Sequence, residues 1–199
     1  MITSEQVKEL RDTTGISIMQ CRKALEDAQG DMEKALTLLR KKGADVAAKK
    51  SDRTLNAGRI ATYVHSSGQV AAMVELNCET DFVSKNEGFY ALAYDIAMQI
   101  VATNPQYLKT EDIPAEEREK MKEVFMAEVD QNKPADIKEK IITGKLDAYF
   151  NEKVLLEQAF IKNDELKIKD LISNCVQKFG EKTEITRFVR YTVARVATC

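Results

Sequence analysis

The chain holds few residues able to do covalent or metal chemistry. Among its 199 residues there is one histidine, His65, and four cysteines, Cys21, Cys78, Cys175 and Cys199. A single imidazole cannot build a histidine metal cluster, and the cysteines lack the paired C-x-x-C spacing of a zinc site. No carboxylate or cysteine set converges with His65 in sequence. A half-buried strand residue with one hydrogen bond is therefore favoured there over a general base. No G-x-x-x-x-G-K-[ST] or G-x-G-x-x-G loop is present to cradle a phosphate, so no cofactor is expected. The carboxylates scattered over 111–130 read as a solvated helix face. Arg187, Arg190 and Arg195 share a strand pattern, but the net charge is −2 and no wider basic patch accompanies them, so direct nucleic-acid binding is not signalled. One short stretch is unusual: Cys78-Glu79-Thr80-Asp81-Phe82-Val83. A strand pattern gives way to a helix pattern there, and a large aromatic sits beside an aspartate. Phe82 either packs back into its own core, the common fate of an isolated phenylalanine, or is held outward. Residue types alone point to a soluble α+β interaction protein that is not an enzyme.

The elements that must position this junction can be read from periodicity. Three short helices fill the first 45 residues. Thr3 and Gln6 fit a capping box with Ile2 and Val7 as its hydrophobic staple. The first helix turns Val7, Leu10 and Thr14 inward and stops at Gly15. Ser17 and Gln20 fit a second capping box, and Ile18, Cys21, Leu25 and Ala28 share one face before Gly30. Asp31 caps a third helix with Ala35, Leu36, Leu38 and Leu39 on its apolar side before Gly43. Residues 46–57 read as a possible helical overrun and then a linker, and 58–199 as the core domain. Ile60 to His65 and Val70 to Leu76 alternate with period two around a Ser66-Ser67-Gly68-Gln69 turn, which predicts a hairpin over 59–77. A buried helix follows over 86–103, with Phe89, Leu92, Ala93, Ile96, Ala97 and Ile100 on one stripe and Asn104-Pro105 at its end. Residues 114–152 predict a projecting helical hairpin, entered at Pro114 and broken at Asn132-Lys133-Pro134. Asp164 or a neighbour caps a further helix through Leu171, Ile172 and Val176, stopped by Gly180. Residues 185–196 read as a last strand that joins the hairpin in one antiparallel sheet of about three strands. The N-terminal MITSEQVKEL lacks the pattern of a secretion signal. No apolar run reaches the roughly 20 residues that span a bilayer. A cytoplasmic protein with reduced thiols and no membrane partner is expected.

Longer stretches resemble a known family. RDTTGISIMQCRKALEDAQGDMEKALTLLRKKG is similar to the N-terminal module of translation elongation factor Ts, a ubiquitin-associated-like three-helix bundle. YVHSSGQVAAMVELNCETDFVSKNEGF is similar to the start of that family's core domain, and the similarity continues through DIAMQIVATNPQY, VLLEQAFIKND, IKDLIS and RFVRYTV. The motif T-D-F-V after a strand ending N-C-E is specific in this setting, whereas T-D-F-V alone carries little. One hairpin and one T-D-F-V resemble the short, single-core form, which is expected to supply its second core half by pairing two chains. Three places depart from the family pattern. Thr14-Gly15-Ile16-Ser17 stands for T-G-A-G, Ile18-Met19 for a pair of methionines, and Ala194-Arg195-Val196 for Gly-Glu-Gly.

The resemblance implies a guanine-nucleotide exchange factor for elongation factor Tu that makes and breaks no bond. It implies that Phe82 wedges between helices of Tu's nucleotide-binding domain and disturbs its Mg²⁺ site, that Asp81 adds polar contacts, and that Thr80 and Val83 hold the turn. Arg11, Ile18 and Met19 are implied as further partner contacts, with Ile18 open to a core role. His65 is implied as a contact from the other core half, with core packing equally open. A homodimer in a two-plus-two complex with Tu follows from the short form. The rival class is an adaptor for ribosomes or nascent chains that carries a similar helical module and drives no exchange.

Overall fold

The first three helices begin and end where their caps require. The computed structural model describes residues 2–129 and 134–193. Helix α1 (Ser4–Thr14) starts on a complete capping box: the Gln6 amide donates to Thr3 Oγ1 at 3.2 Å and the Thr3 amide to Gln6 Oε1 at 3.0 Å. It ends at Gly15, whose φ of 68° is the left-handed conformation that favours glycine. Helix α2 (Ile18–Asp27) is capped by Ser17, which accepts from the Gln20 amide. Here the box is half made. The Gln20 side chain turns away and its Oε1 accepts from Gln177 Nε2 at 2.9 Å. Helix α3 (Met32–Ala48) is capped by Asp31, which accepts from the Lys34 amide. Val7, Leu10, Cys21, Leu25, Ala35 and Leu39 form the apolar core of this bundle.

Two details differ from the periodicity. Ile18 does not face inward and is 55% exposed, because it opens α2 beyond the core. Ile16, in the turn before the helix, fills that space at 1% exposure, and Ala24 completes the buried face. Helix α3 runs through Gly43 to Ala48, so the first residues of the stretch read as linker are helical. Gly43 serves contact rather than termination. A Cβ there would stand 3.2 Å from Gln177 Oε1 and 3.5 Å from Ser173 Cβ.

The sheet is antiparallel with strand order β1 (Ala57–Val64), β2 (Val70–Cys78), β5 (Thr183–Thr192). The two partner strands of β2 are pinned by register, Ala61 opposite Val74 and Val74 opposite Phe188. One face of the sheet turns Ala61, Ala72, Val74, Leu76 and Ile185 onto α5 (Glu87–Thr103), which answers with Phe89, Ala93, Ile96, Ala97 and Ile100. The fold is therefore α+β, as the patterning predicts. Between β2 and α5 lies the one-turn helix α4 (Asp81–Ser84).

Helices α6 (Ala115–Glu128) and α7 (Ala135–Lys153) form the projecting hairpin. Of the expected break, Asn132 and Lys133 lie outside the described residues, and Pro134 precedes the first turn of α7. The hairpin root has its own apolar cluster of Ile113, Phe150 and Val154, joined by Tyr107, Met121, Leu146 and Tyr149. The returning chain makes a small pair, β3 (Ala159–Phe160) with β4 (Asn163–Lys167), that periodicity did not predict. Helix α8 (Ile168–Phe179) follows. Asp164 lies in β4 and does not cap it. The Asp170 carboxylate instead accepts from the Lys167 amide at 2.9 Å. Gly180, φ 72°, ends α8 as expected. The last strand starts two residues earlier than its pattern. Ala194-Arg195-Val196 and Cys199 lie outside the described residues. Cys21, Cys78 and Cys175 are buried and unpaired. Among the described residues no helix is long and apolar enough to cross a membrane, and no group of three potential ligands could hold a metal ion.

Candidate functional site

The strand-to-helix junction is built from the backbone outward. Strand β2 ends at Cys78, whose thiol donates to the Thr80 carbonyl at 3.2 Å. Thr80 is extended, with φ −129° and ψ 158°, and stands at the N-cap of α4 without capping it. Its hydroxyl is engaged elsewhere, donating to Glu181 Oε1 at 2.6 Å, while its amide donates to Glu181 Oε2 at 3.0 Å. The neighbouring Glu79 carboxylate accepts from the Lys182 amide at 2.5 Å and from Arg53 Nη1 at 3.0 Å. The Lys182 amide, followed by Arg53, holds the Glu79 carboxyl below its ordinary range despite partial desolvation.

Within α4 the helical rotation of about 100° per residue decides who faces out. Val83 and Ser84 are buried, with Val83 packed in the sheet–α5 core. Phe82 is left on the outer side and is 80% exposed. The core alternative for Phe82 is thereby excluded. Arg59 Nη1 donates to the Ser84 carbonyl, so the far end of α4 is also held. Asp81 Oδ2 pairs with Lys85 Nζ at 2.5 Å, one helical turn on, and this hydrogen bond pulls the Asp81 carboxyl below its usual range. Both partners are well exposed, so the pair stabilises the turn little and is open to exchange for another cation.

The remaining predicted contacts fall in two other places. Met19 is 83% exposed and neighbours exposed Ile18 at the start of α2. Arg11 lies in the last turn of α1, across the Gly15 turn from them. The three thus lie at two helix ends joined by the Gly15 turn. His65 is exposed at the β1–β2 turn and is not half-buried. Its Nδ1 accepts from the Ser67 amide at 3.3 Å and lies 2.9 Å from Ser67 Oγ. Ala57 pairs with Cys78 at one end of the hairpin, and Val64 with Ala71 at the other. His65 and Phe82 thus stand at opposite ends of strands about 25 Å long. One chain does not bring them together. Glu181 and Arg59, which brace the turn, carried no signal in the sequence because nothing periodic links residue 181 to residue 80.

Burial pushes the thiols of Cys21 and Cys78 up and that of Cys175 to about 11. The site is an exposed aromatic on a braced turn, a shape suited to entering another protein.

Comparison with known proteins decides the family. The family model described as Elongation factor TS matches residues 6–195. The chain belongs to the elongation factor Ts family. It is 52% identical over 194 residues to Elongation factor Ts of Thermodesulfovibrio yellowstonii, covering 98% of this chain and 97% of that one. It is 48% identical to Elongation factor Ts of Carboxydothermus hydrogenoformans, over 96% and 88% of the two chains. The same identity holds for Elongation factor Ts of Herpetosiphon aurantiacus, over 96% and 98%. The Ts match therefore takes in the helical bundle, the sheet and the hairpin together, and the Thr80–Val83 turn lies well inside it.

Proposed function

We propose that this chain is the guanine-nucleotide exchange factor of elongation factor Tu, a cytoplasmic protein that works by binding and without covalent catalysis. The observation that carries this reading is the 80% exposure of Phe82 on a turn whose other groups are held from behind. A bulky apolar side chain is costly to display to water. Its display is understandable when a partner buries it. Phe82 enters between helices of Tu's nucleotide-binding domain and shifts them away from the Mg²⁺ that bridges protein and phosphate oxygens. Asp81 exchanges Lys85 for polar groups of Tu, and Thr80 and Val83 keep the turn in shape. Arg11, Ile18 and Met19 hold the same domain at a second patch.

The energetics follow from linkage. A factor that bound both states of Tu equally would shift nothing. The chain binds the nucleotide-poor state more tightly, so it and GDP weaken each other's binding by the same factor. GTP then rebinds and displaces it. Two chains pair to complete the core, giving two factors and two Tu molecules per complex, and in this reading His65 contacts a Tu engaged by the other chain's Phe82.

The test is direct. Tu loaded with fluorescent GDP is mixed with catalytic amounts of this protein, and release is followed at several Mg²⁺ concentrations. Acceleration over the intrinsic rate that is greatest at high Mg²⁺ and shrinks as Mg²⁺ is withdrawn supports the reading. Release at the intrinsic rate at every Mg²⁺ concentration removes it and leaves an adaptor.

A further inference from the structure

We propose that Glu181 is a positioning residue for the exchange turn, acting on Tu only through Phe82; the proposal rests on the reading of Phe82 given above. The β2–β5 ladder makes its last backbone pair at Cys78 opposite Thr183. Continued in the same register, the next pairs would be Glu79 with Lys182 and Thr80 with Glu181. The chain keeps this register with side chains where the backbone ladder has stopped. Glu79 takes the Lys182 amide, and Glu181 takes both the amide and the hydroxyl of Thr80. The two bonds to Glu181 are charge-assisted, at 3.0 Å and 2.6 Å, and they fix two atoms of one residue against one carboxylate.

What this holds is the entry to a very short element, whose far end is held by Val83 in the core and by Arg59 on the Ser84 carbonyl. Helix α4 has four residues, too few to persist alone. Thr80 spends its hydroxyl on Glu181 and supplies no side-chain cap to α4. Phe82 follows Thr80 by only two residues, so a small rotation at Thr80 swings the ring. Glu181 is itself anchored through its two chain neighbours. It follows Gly180, whose carbonyl accepts from Lys50 Nζ at 2.7 Å, and precedes Lys182, whose Nζ donates to the Ser51 carbonyl at 2.7 Å. Glu181 thus ties the turn to the end of α8 and to the loop that enters β1. Sequence spacing cannot show this, because the partners are 101 residues apart.

The experiment is a double-mutant cycle on the full chain: wild type, Glu181→Ala, Phe82→Ala and the double variant, each assayed for release of fluorescent GDP from Tu and for its thermal midpoint. Glu181→Ala is expected to slow stimulated release about tenfold, the scale of one hydrogen bond to a charged group. Its midpoint should stay within a few degrees of wild type. In the Phe82→Ala background the same change should cost less than about twofold, because no ring remains to be aimed. Glu181→Gln keeps one acceptor oxygen and should fall between wild type and Glu181→Ala. It replaces Glu181→Ala in the cycle, with the same criteria, if the alanine variant does not fold. An unchanged release rate in Glu181→Ala overturns the proposal while leaving the Phe82 reading intact. So does an undiminished loss in the Phe82→Ala background, which would mean Glu181 touches Tu or acts through the whole fold. If Phe82→Ala alone releases GDP at the wild-type rate, the wedge reading fails first and the positioning role with it.

Discussion

Phe82 and Val83 are adjacent, both apolar, and placed for opposite ends. Val83 is 2% exposed against the sheet–α5 core, and Phe82 is 80% exposed. Val83→Ala should therefore cost about 2 kcal/mol of stability, from two lost methyl groups and a partly relaxed cavity, visible as a lowered urea midpoint. Phe82→Ala should leave that midpoint nearly unchanged and cost about 2 kcal/mol or more of binding to Tu, as truncated interface anchors do, read by titration calorimetry. Equal losses of stability in the two variants would sink the assignment. The same contrast shows what a sequence can say at this scale. Strand-to-helix spacing placed Phe82 at a junction but left its direction open between core and solvent. The direction depends on which residues of one helical turn meet the core between the sheet and α5, a tertiary fact. Ile18 shows the converse. Its spacing from Cys21 and Leu25 suggested the core, but Ile16 already occupied that place.

At the scale of elements, the pieces with strong local chemistry were legible. Thr3, Ser17 and Asp31 cap where expected, Gly15 and Gly180 end their helices in the left-handed conformation, and the β1–β2 hairpin and α5 follow their periods. Elements decided by distant partners were not. Gly43 looks like a stop until α8 is seen against it, and β3 with β4 is too short to show a period. The helical hairpin offers a test at this scale. Its root is held where the Tyr107 hydroxyl donates to the Glu117 carboxylate, with Lys153 Nζ 3.7 Å from the same carboxylate. Tyr107 also takes part in the backbone pairing that joins the root to the sheet domain, its carbonyl accepting from the Leu155 amide at 2.9 Å. The Glu117 hydrogen bond, with desolvation, raises the Tyr107 phenol from 10.0 to about 12. A raised value means the folded state holds the proton longer than the unfolded chain. The stabilisation is complete below pH 10 and is lost as pH climbs from 10 to about 12. Lysines titrate in the same range, so the measurement is the difference between wild type and Tyr107→Phe in urea unfolding across that window. The wild type should lose stability more steeply with pH than the variant. Parallel curves would mean the phenol carries no such linkage.

For the whole molecule, the question is what covers the second face of the sheet. Ile60 and Val64 of β1, Met73 of β2, and Val189 and Tyr191 of β5 all point away from α5 and are exposed. The register sets them in rows, Thr62–Met73–Val189 and Val64–Ala71–Tyr191, with the Glu75–Arg187 ion pair at 2.6 Å bounding the apolar area beside Ile60. Among the described residues no element lies over this face. An apolar sheet face in water is expensive, and an isologous pairing of two copies would bury the same patch twice in the manner of a sandwich. The proposed dimer thus has a surface suited to it, and that surface is distinct from the Phe82 turn, so pairing and Tu binding can coexist. Equilibrium sedimentation should find twice the mass of one chain at micromolar concentration. Met73→Glu combined with Val189→Glu would set like charges in the middle of the interface, where desolvation is costly. It should yield a single chain with an unchanged far-ultraviolet spectrum, because neither side chain supports the α5 core. If the second core half contributes to exchange, that folded monomer should release GDP from Tu more slowly than wild type although its Phe82 is untouched. A wild-type chain that sediments as a monomer at every concentration would remove the dimer. A monomeric variant with full exchange activity would keep the dimer but strip it of any part in the reaction.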